Sequence, residues 1–326
     1  MASKNEVSKA ELNRQRNLDK SVIFASKDIQ KEFNIYGFQK EDYVIRNGEK
    51  SYIVVFSVTS SDADISVNNL NKILCANLSQ RYRISLFCQK VNDIYKKMVY
   101  LSIYFDEISY FKVHDQLMQL KNDLSGLSNY GFNIEVLSLD AIFSYWKFNM
   151  NNAFEDVNAL SILSSKTPFE KPNVKINERS IFECNSMYCA SLKLIGLSGH
   201  TTHFPLNCFN AFLKFYIATD VWKISEEDFG TYSKILNLSF YPGKEYDKSN
   251  SNNFSISIVV MDNDKNILKQ RLEDVYVECQ KHGFNIVPCY GNETDYFISL
   301  SSFGVVDFSN MHVVKNEQIN EFYGEL

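Results

Sequence analysis

Asn129-Tyr130-Gly131-Phe132-Asn133-Ile134 and Lys281-His282-Gly283-Phe284-Asn285-Ile286 are the two stretches whose reading decides how this sequence is organised. In each, glycine stands where a helix must stop in the left-handed region before the chain enters a strand. Upstream of Gly131, Val113, Leu117, Leu120, Leu124 and Leu127 recur at three- and four-residue steps, which predicts a helix over Ser109 to Leu127. Phe132 to Leu137 then reads as a strand. Further back lie two strands, Arg83 to Gln89 and Met98 to Phe105, and a helix over Ser66 to Gln80 with Val67, Leu70, Ile73, Leu74 and Leu78 on one face. The half opens on a hairpin, Asp42 to Arg46 and Ser51 to Val58 around Asn47-Gly48-Glu49-Lys50, because Asn-Gly tolerates the positive φ of a tight turn.

The same order is expected downstream. Ser180 to Cys184 and Met187 to Ile195 form a second hairpin about Asn185-Ser186, followed by a helix over Leu206 to Tyr216. A strand at Ile235 to Tyr241, a polar loop from Gly243 to Asn253, a strand at Phe254 to Met261, a helix at Asn266 to Lys281 and a strand at Phe284 to Pro288 complete it. Each half thus reads hairpin, helix, strand, strand, helix, strand, and the fold class expected is α+β with duplicated ferredoxin-like units, helices on one face of each sheet. The expected divisions are a polar helical leader over 1–34, a first α+β unit over 35–148, a linker over 149–178, a second unit over 179–310 and a C-terminal tail over 311–326. Ser164-Ser165-Lys166-Thr167-Pro168 and Pro172 mark the linker.

Composition bounds the function. The 326 residues are 45% hydrophobic and 22% charged, with only 12 Gly and 5 Pro, which excludes extensive disorder and repeat-turn architectures. The 25 Phe and 19 Tyr supply an aromatic interior or contact surface. Net charge is −5 and the isoelectric point about 5.7, so nucleic acid is an unfavoured partner, since backbone binding normally needs a basic excess. Seven cysteines at scattered positions fit reduced thiols in the cytoplasm. Met1 to Lys20 lacks the apolar core of a signal peptide, and no apolar run reaches the ~18–20 residues of a membrane span.

Gly48-Glu49-Lys50-Ser51 and Pro242-Gly243-Lys244-Glu245 both place Glu where a phosphate-binding loop cannot use it, and read as turns. Glu226-Glu227-Asp228 after Ser225 reads as the first turn of a capped helix, and His114 as a solvated or edge position. The residues most like zinc ligands are His200, His203, Cys184 and Cys189, with Cys208 nearby in sequence. The paired-cysteine half of the usual spacing is missing, so no metal and no cofactor are expected. Tyr100, Tyr104, Phe105, Phe240 and Tyr241 could stack on bases if exposed on an open sheet, or pack in the core.

The second half resembles the N-terminal, non-motor region of the large cytoplasmic ATPases of type IV secretion and conjugation machines. The resemblance lies in the hairpin Phe182 to Ile195, Phe204-Pro205 and the helix to Phe215, and the strand Ile235 to Tyr241 with its Tyr241-Pro242-Gly243 exit. It continues through the long helix, Gly283-Phe284 and Phe297-Ile298-Ser299-Leu300. It extends over residues 35 to 310. Members of that family carry a C-terminal motor with Walker motifs, and this chain ends at Leu326 before one could begin. The resemblance implies an excised N-terminal domain or a stand-alone relative without the motor, non-enzymatic and cytoplasmic, peripheral at the inner membrane through its partners. Those partners would be secretion-system proteins at the inner membrane and neighbouring subunits, with self-association. No family catalytic residue has a matching position. The alternative is an RNA-binding or RNA-processing protein with tandem ferredoxin-like domains, although Phe303-Gly304-Val305-Val306 is a poor substitute for the glycine-rich loop of such proteins. An enzyme whose site is assembled from distant residues stays open.

Overall fold

The computed structural model of the chain describes residues 9–27, 30, 34–48, 51–60, 66–92, 94–144, 174–178 (backbone), 180–184, 186–198, 203–224, 251–289 and 312–323. These form a mixed α/β structure built on one large antiparallel sheet. Helix α1, Lys9–Lys20, leads into strands β1 (Ile23–Phe24), β2 (Ile35–Gln39), β3 (Val44–Asn47) and β4 (Ser51–Ser60). Helix α2 (Val67–Asn77), strands β5 (Arg81–Val91) and β6 (Ile94–Phe105), helix α3 (Tyr110–Ser125), a 3-10 turn (Gly126–Tyr130) and β7 (Phe132–Val136) follow. The second half contains β8 (Val174–Glu178), β9 (Ile181–Cys184), β10 (Met187–Leu197), a 3-10 helix (Leu206–Ala211), β11 (Lys214–Lys223) and β12 (Ser251–Asp262). It closes with α4 (Lys265–Lys281), β13 (Phe284–Pro288), β14 (His312–Lys315) and α5 (Asn316–Asn320).

The strands run in the order β1-β2-β3-β4-β6-β5-β11-β12-β10-β9-β8. One pairing scheme occurs on both sides of the β5–β11 seam. In the first half Phe56 lies between Val136 and Leu101, and Leu101 pairs with Ile84. In the second, Leu192 lies between Pro288 and Ile258, and Ile258 pairs with Ile217. Ile84 and Ile217 therefore occupy corresponding places, and the residues after them, Ser85 and Ala218, face each other across the seam. A local two-fold relation passes through that pair.

The glycines behave as their neighbourhoods require. Gly48, at the end of β3 in the Asn-Gly turn, has φ 68°, and Gly131 and Gly283 have φ 81° and 85° as each chain leaves its helix. The expected helix over Leu206 to Tyr216 is corrected. A 3-10 turn ends at Ala211, and Lys214-Phe-Tyr-Ile-Ala-Thr-Asp-Val-Trp-Lys is strand β11. Its β-branched and aromatic residues, with both neighbouring edges available, outweigh the helical spacing of Leu206, Phe209 and Leu213. The expected strand at Ile235 to Tyr241, the capped turn at Ser225 to Asp228, most of the linker and the Phe297 to Leu300 segment lie outside the described residues.

Helices α2, α3 and α4 pack on one sheet face over Val54, Phe56, Leu86, Leu101, Ile217, Ile258 and Leu192. The expectation of helices on one face alone is also amended. The opposite face holds a second buried cluster, in which Leu139, Ile142 and Phe143 of the helical residues 139–144 cover Ile53, Val55 and Tyr100. Residues 312–323, assigned to the tail, are integral. β14 pairs with β12, α5 packs on α2, and Phe322 stacks on Phe204 at 5.0 Å, with Phe254 and Phe284 around it. Asn71, fully buried, accepts from Tyr82 at 3.0 Å and donates to the Ile319 carbonyl at 2.7 Å, which ties the C-terminal segment to α2.

At the seam, Asp220 directly opposes Arg83, and both side chains are 1% exposed. The guanidinium makes a forked contact, with Nε at 3.1 and 3.2 Å and Nη2 at 3.0 Å from the carboxylate. Burial works against its charge, but Asp220 more than offsets this and raises the Arg83 pKa. Removing one partner leaves an uncompensated buried charge, which costs about 3–5 kcal/mol. Asp220→Ala should therefore lower the urea-unfolding free energy by about that amount, and the double variant Arg83→Met/Asp220→Leu should recover most of it. A D220A chain as stable as wild type would show that the pair does not hold the seam.

Candidate functional site

Among the described residues singled out as ligands, Cys184 and Cys189 share one buried cluster and His203 lies elsewhere. Cys184 and Cys189 lie on the second sheet face among Phe182, Met187 and Met261. His203 sits beside His282 at the end of α4, with ring centroids 5.0 Å apart, next to the Phe204 cluster on the helical face. His200 lies outside the described residues. Among the described residues, no group of three or more His, Cys, Asp or Glu could hold a metal ion. Tyr100, Tyr104 and Phe105 are buried in the core and present no platform for a base; Phe240 and Tyr241 lie outside the described residues.

A polar cluster that periodicity did not single out centres on Asp42. The turn between β2 and β3 carries Asp42 and Tyr43, the latter at φ 56°, and sets the Asp42 carboxylate against α3. Tyr110 donates its hydroxyl to Oδ2, His114 Nδ1 lies 2.7 Å from the same oxygen, and Lys121 Nζ lies 3.3 Å from Oδ1. Tyr110, His114 and Lys121 fall on one side of α3 by helical spacing. His114, expected as a solvated or edge position, is thus a partner of this carboxylate. Burial would raise the Asp42 pKa, but the Tyr110 and His114 hydrogen bonds and the Lys121 charge outweigh it and hold the carboxyl below its ordinary range. Burial and the same hydrogen bond push the Tyr110 phenol up. An ionised Asp42 accepts a hydrogen bond from Nδ1–H of His114. A carboxylate engaged by three donors is a poor base and a good anchor, so this chemistry fastens the turn to the helix.

A second polar anchor holds α1. Asp19 accepts from the Phe111 backbone N–H at 3.1 Å and from the Ser109 hydroxyl at 2.9 Å, so it caps α3 from outside that helix. Arg14 reaches Asp115 at 3.1 Å.

The first strand of the sheet carries two exposed apolar side chains. In β1, Phe24 is 64% exposed and Ile23 48%, with the Arg46 guanidinium 5.6 Å from the Phe24 ring centre. β1 pairs with β2 through Ile23 to Phe38 and Phe24 to Gly37. A Cβ at Gly37 would lie 2.6 Å from the Ile23 carbonyl oxygen, so this close approach requires glycine. No protein-family model matches the sequence, and no curated protein matches it. No helix among the described residues is long and apolar enough to cross a membrane.

The Asp42 anchor generates a pH dependence. A carboxyl with a depressed folded-state pKa contributes stability that is present above its unfolded value, ~3.9, and is lost as pH falls through the folded value. Urea midpoints measured from pH 7 to pH 3 should fall more steeply in wild type than in Asp42→Asn, with D42N already less stable at neutral pH. Parallel profiles would remove Asp42 from the account.

Proposed function

We propose that this chain is a non-catalytic assembly module built from duplicated ferredoxin-like units, serving a type IV secretion or conjugation ATPase by docking to inner-membrane components and neighbouring subunits. The observation that supports it most is the recurrence of one strand order in both halves. β7-β4-β6-β5 has the first strand of the α/β repeat between its last and third, and β13-β10-β12-β11 repeats that order. The duplicated plan is read from the order of elements in the sequence, and the resemblance adds the assembly role to it. The location proposed is cytoplasmic, peripheral at the inner membrane through partners.

The RNA-binding alternative depends on exposed rings on an open sheet face. Burial of Tyr100, Tyr104 and Tyr216 favours the docking reading instead. The exposed apolar pair on β1 offers the contact surface that a docking module needs.

Cross-linking of the full chain in native membranes is expected to capture inner-membrane secretion components, and Phe24→Glu to reduce that capture without changing the unfolding midpoint. Recovery of the chain as a soluble monomer free of such contacts would overturn the proposal. Single-stranded RNA should not be retained at low salt; salt-dependent retention would favour the alternative.

A further inference from the structure

Helix α1 is held to the rest of the chain differently from its neighbours. Helix α3 buries Tyr110, Val113, Leu117, Leu120 and Leu124, whereas no residue of α1 is buried and Leu12 is 42% exposed. Of the α1 side chains, Leu18 alone packs, half-buried, against the core on the helical face. The remaining hold is polar. Arg14 reaches Asp115 at 3.1 Å with both side chains 49% exposed, and its guanidinium lies 5.4 Å from the Phe111 ring centre. Asp19 accepts from the Ser109 hydroxyl at 2.9 and 3.0 Å and from the Phe111 N–H at 3.1 Å, at the N-terminus of α3.

Exposed ion pairs of this kind contribute little, and salt weakens them. A helix of 12 residues is also marginal in water without support, so undocking and unwinding go together. The boundary of the weakly held segment is sharp. Ser21 ends the helix with its N–H and hydroxyl both on the Leu18 carbonyl. Val22, next in the chain, is buried in the core, and the Ala25 N–H donates to the Tyr36 carbonyl at 2.9 Å. From Val22 onward the chain is therefore fastened to the sheet.

We propose that α1 is a releasable clasp on α3, which docks and undocks as one unit about Ser21 while Val22 and β1 stay in place. Opening uncovers the Phe111 ring and withdraws the carboxylate that caps α3. Lys9, Arg14, Arg16 and Lys20 outnumber Glu11 and Asp19, so α1 is basic on a chain of net charge −5. Low salt favours the closed state through that attraction, and raised salt opens it. The clasp belongs to the fold and stands whether or not the docking reading holds.

The test is hydrogen exchange of the folded full chain, resolved by peptide mass spectrometry, at low salt and at about 0.5 M salt. The amides of α1 should exchange roughly 100-fold faster than those of α3 from Val113 to Leu124. Salt should speed α1 further and leave that stretch of α3 unchanged. Asp19→Asn should speed α1 and the first turn of α3 with little change in the urea midpoint. Arg14→Ala should speed α1 and remove part of its salt response, which the charge exchange Arg14→Asp/Asp115→Arg should restore. Exchange in α1 as slow as in α3, rates indifferent to salt, or loss of the sheet together with α1 in D19N would each overturn the proposal. The wild-type salt series decides this even where a variant fails to fold.

Discussion

The structure depends on the pairing of β5 with β11, because that seam turns two sets of strands into one sheet. Eight register pairs run along it, from Lys214 opposite Gln89 to Val221 opposite Tyr82. Apolar side chains on the helical face, Leu86 and Ile217 among them, supply most of the burial, but apolar pairing alone tolerates slippage. The Arg83–Asp220 pair removes that freedom. A two-residue slip would keep every side chain on its own face yet separate a fully buried guanidinium from its carboxylate. The ion pair acts on specificity of register more than on net stability, since desolvation consumes much of its Coulombic gain.

Arg81 extends this arrangement toward the sheet end. Its guanidinium lies 4.0 Å from the Tyr104 ring centre and 5.4 Å from that of Trp222, and it reaches Asp220 at 3.4 Å. One carboxylate thus organises two arginines from a single strand, and aromatic faces from the neighbouring strands share the second positive charge. The local two-fold relation does not extend to these side chains. Symmetry in the backbone is broken by charge, with arginine contributed by β5 and aspartate by β11.

Much of this was legible in the residues. Asn47-Gly48, Gly131 and Gly283 announce positive φ, and Val113, Leu117, Leu120 and Leu124 announce the buried face of α3. What escaped reading depends on contacts distant in sequence. Leu206 to Tyr216 contains both a helical spacing and a β-rich stretch, and the choice is made by β5 and β12 on either side of β11. The Asp42 cluster joins a turn to a helix some seventy residues later, so no local pattern carries it. Of the zinc candidates, Cys189 and His203 fall on opposite sides of the sheet, a separation that nearness in sequence does not reveal.

The C-terminal segment shows how the two halves are made unequal. Where the first half has α2 between β4 and β5, the described residues between β10 and β11 form a short 3-10 turn, which covers less of the sheet than α2. Phe322 and Tyr323 supply covering volume there, with the Tyr323 hydroxyl 2.7 Å from Thr219 and the Phe322 carbonyl accepting from Phe204. The same segment then presents the Ile319 carbonyl to Asn71 of α2 and Asn316 to Asn252 of β12. A buried amide that satisfies a backbone carbonyl of another element leaves two unpaired groups when the elements part, so the cost of separation rises beyond that of the lost apolar contact. Segment 312–323 therefore both fills the second half and binds it to the first. The two halves of the sheet are coupled by this segment as well as by the seam, which favours their unfolding as one cooperative body.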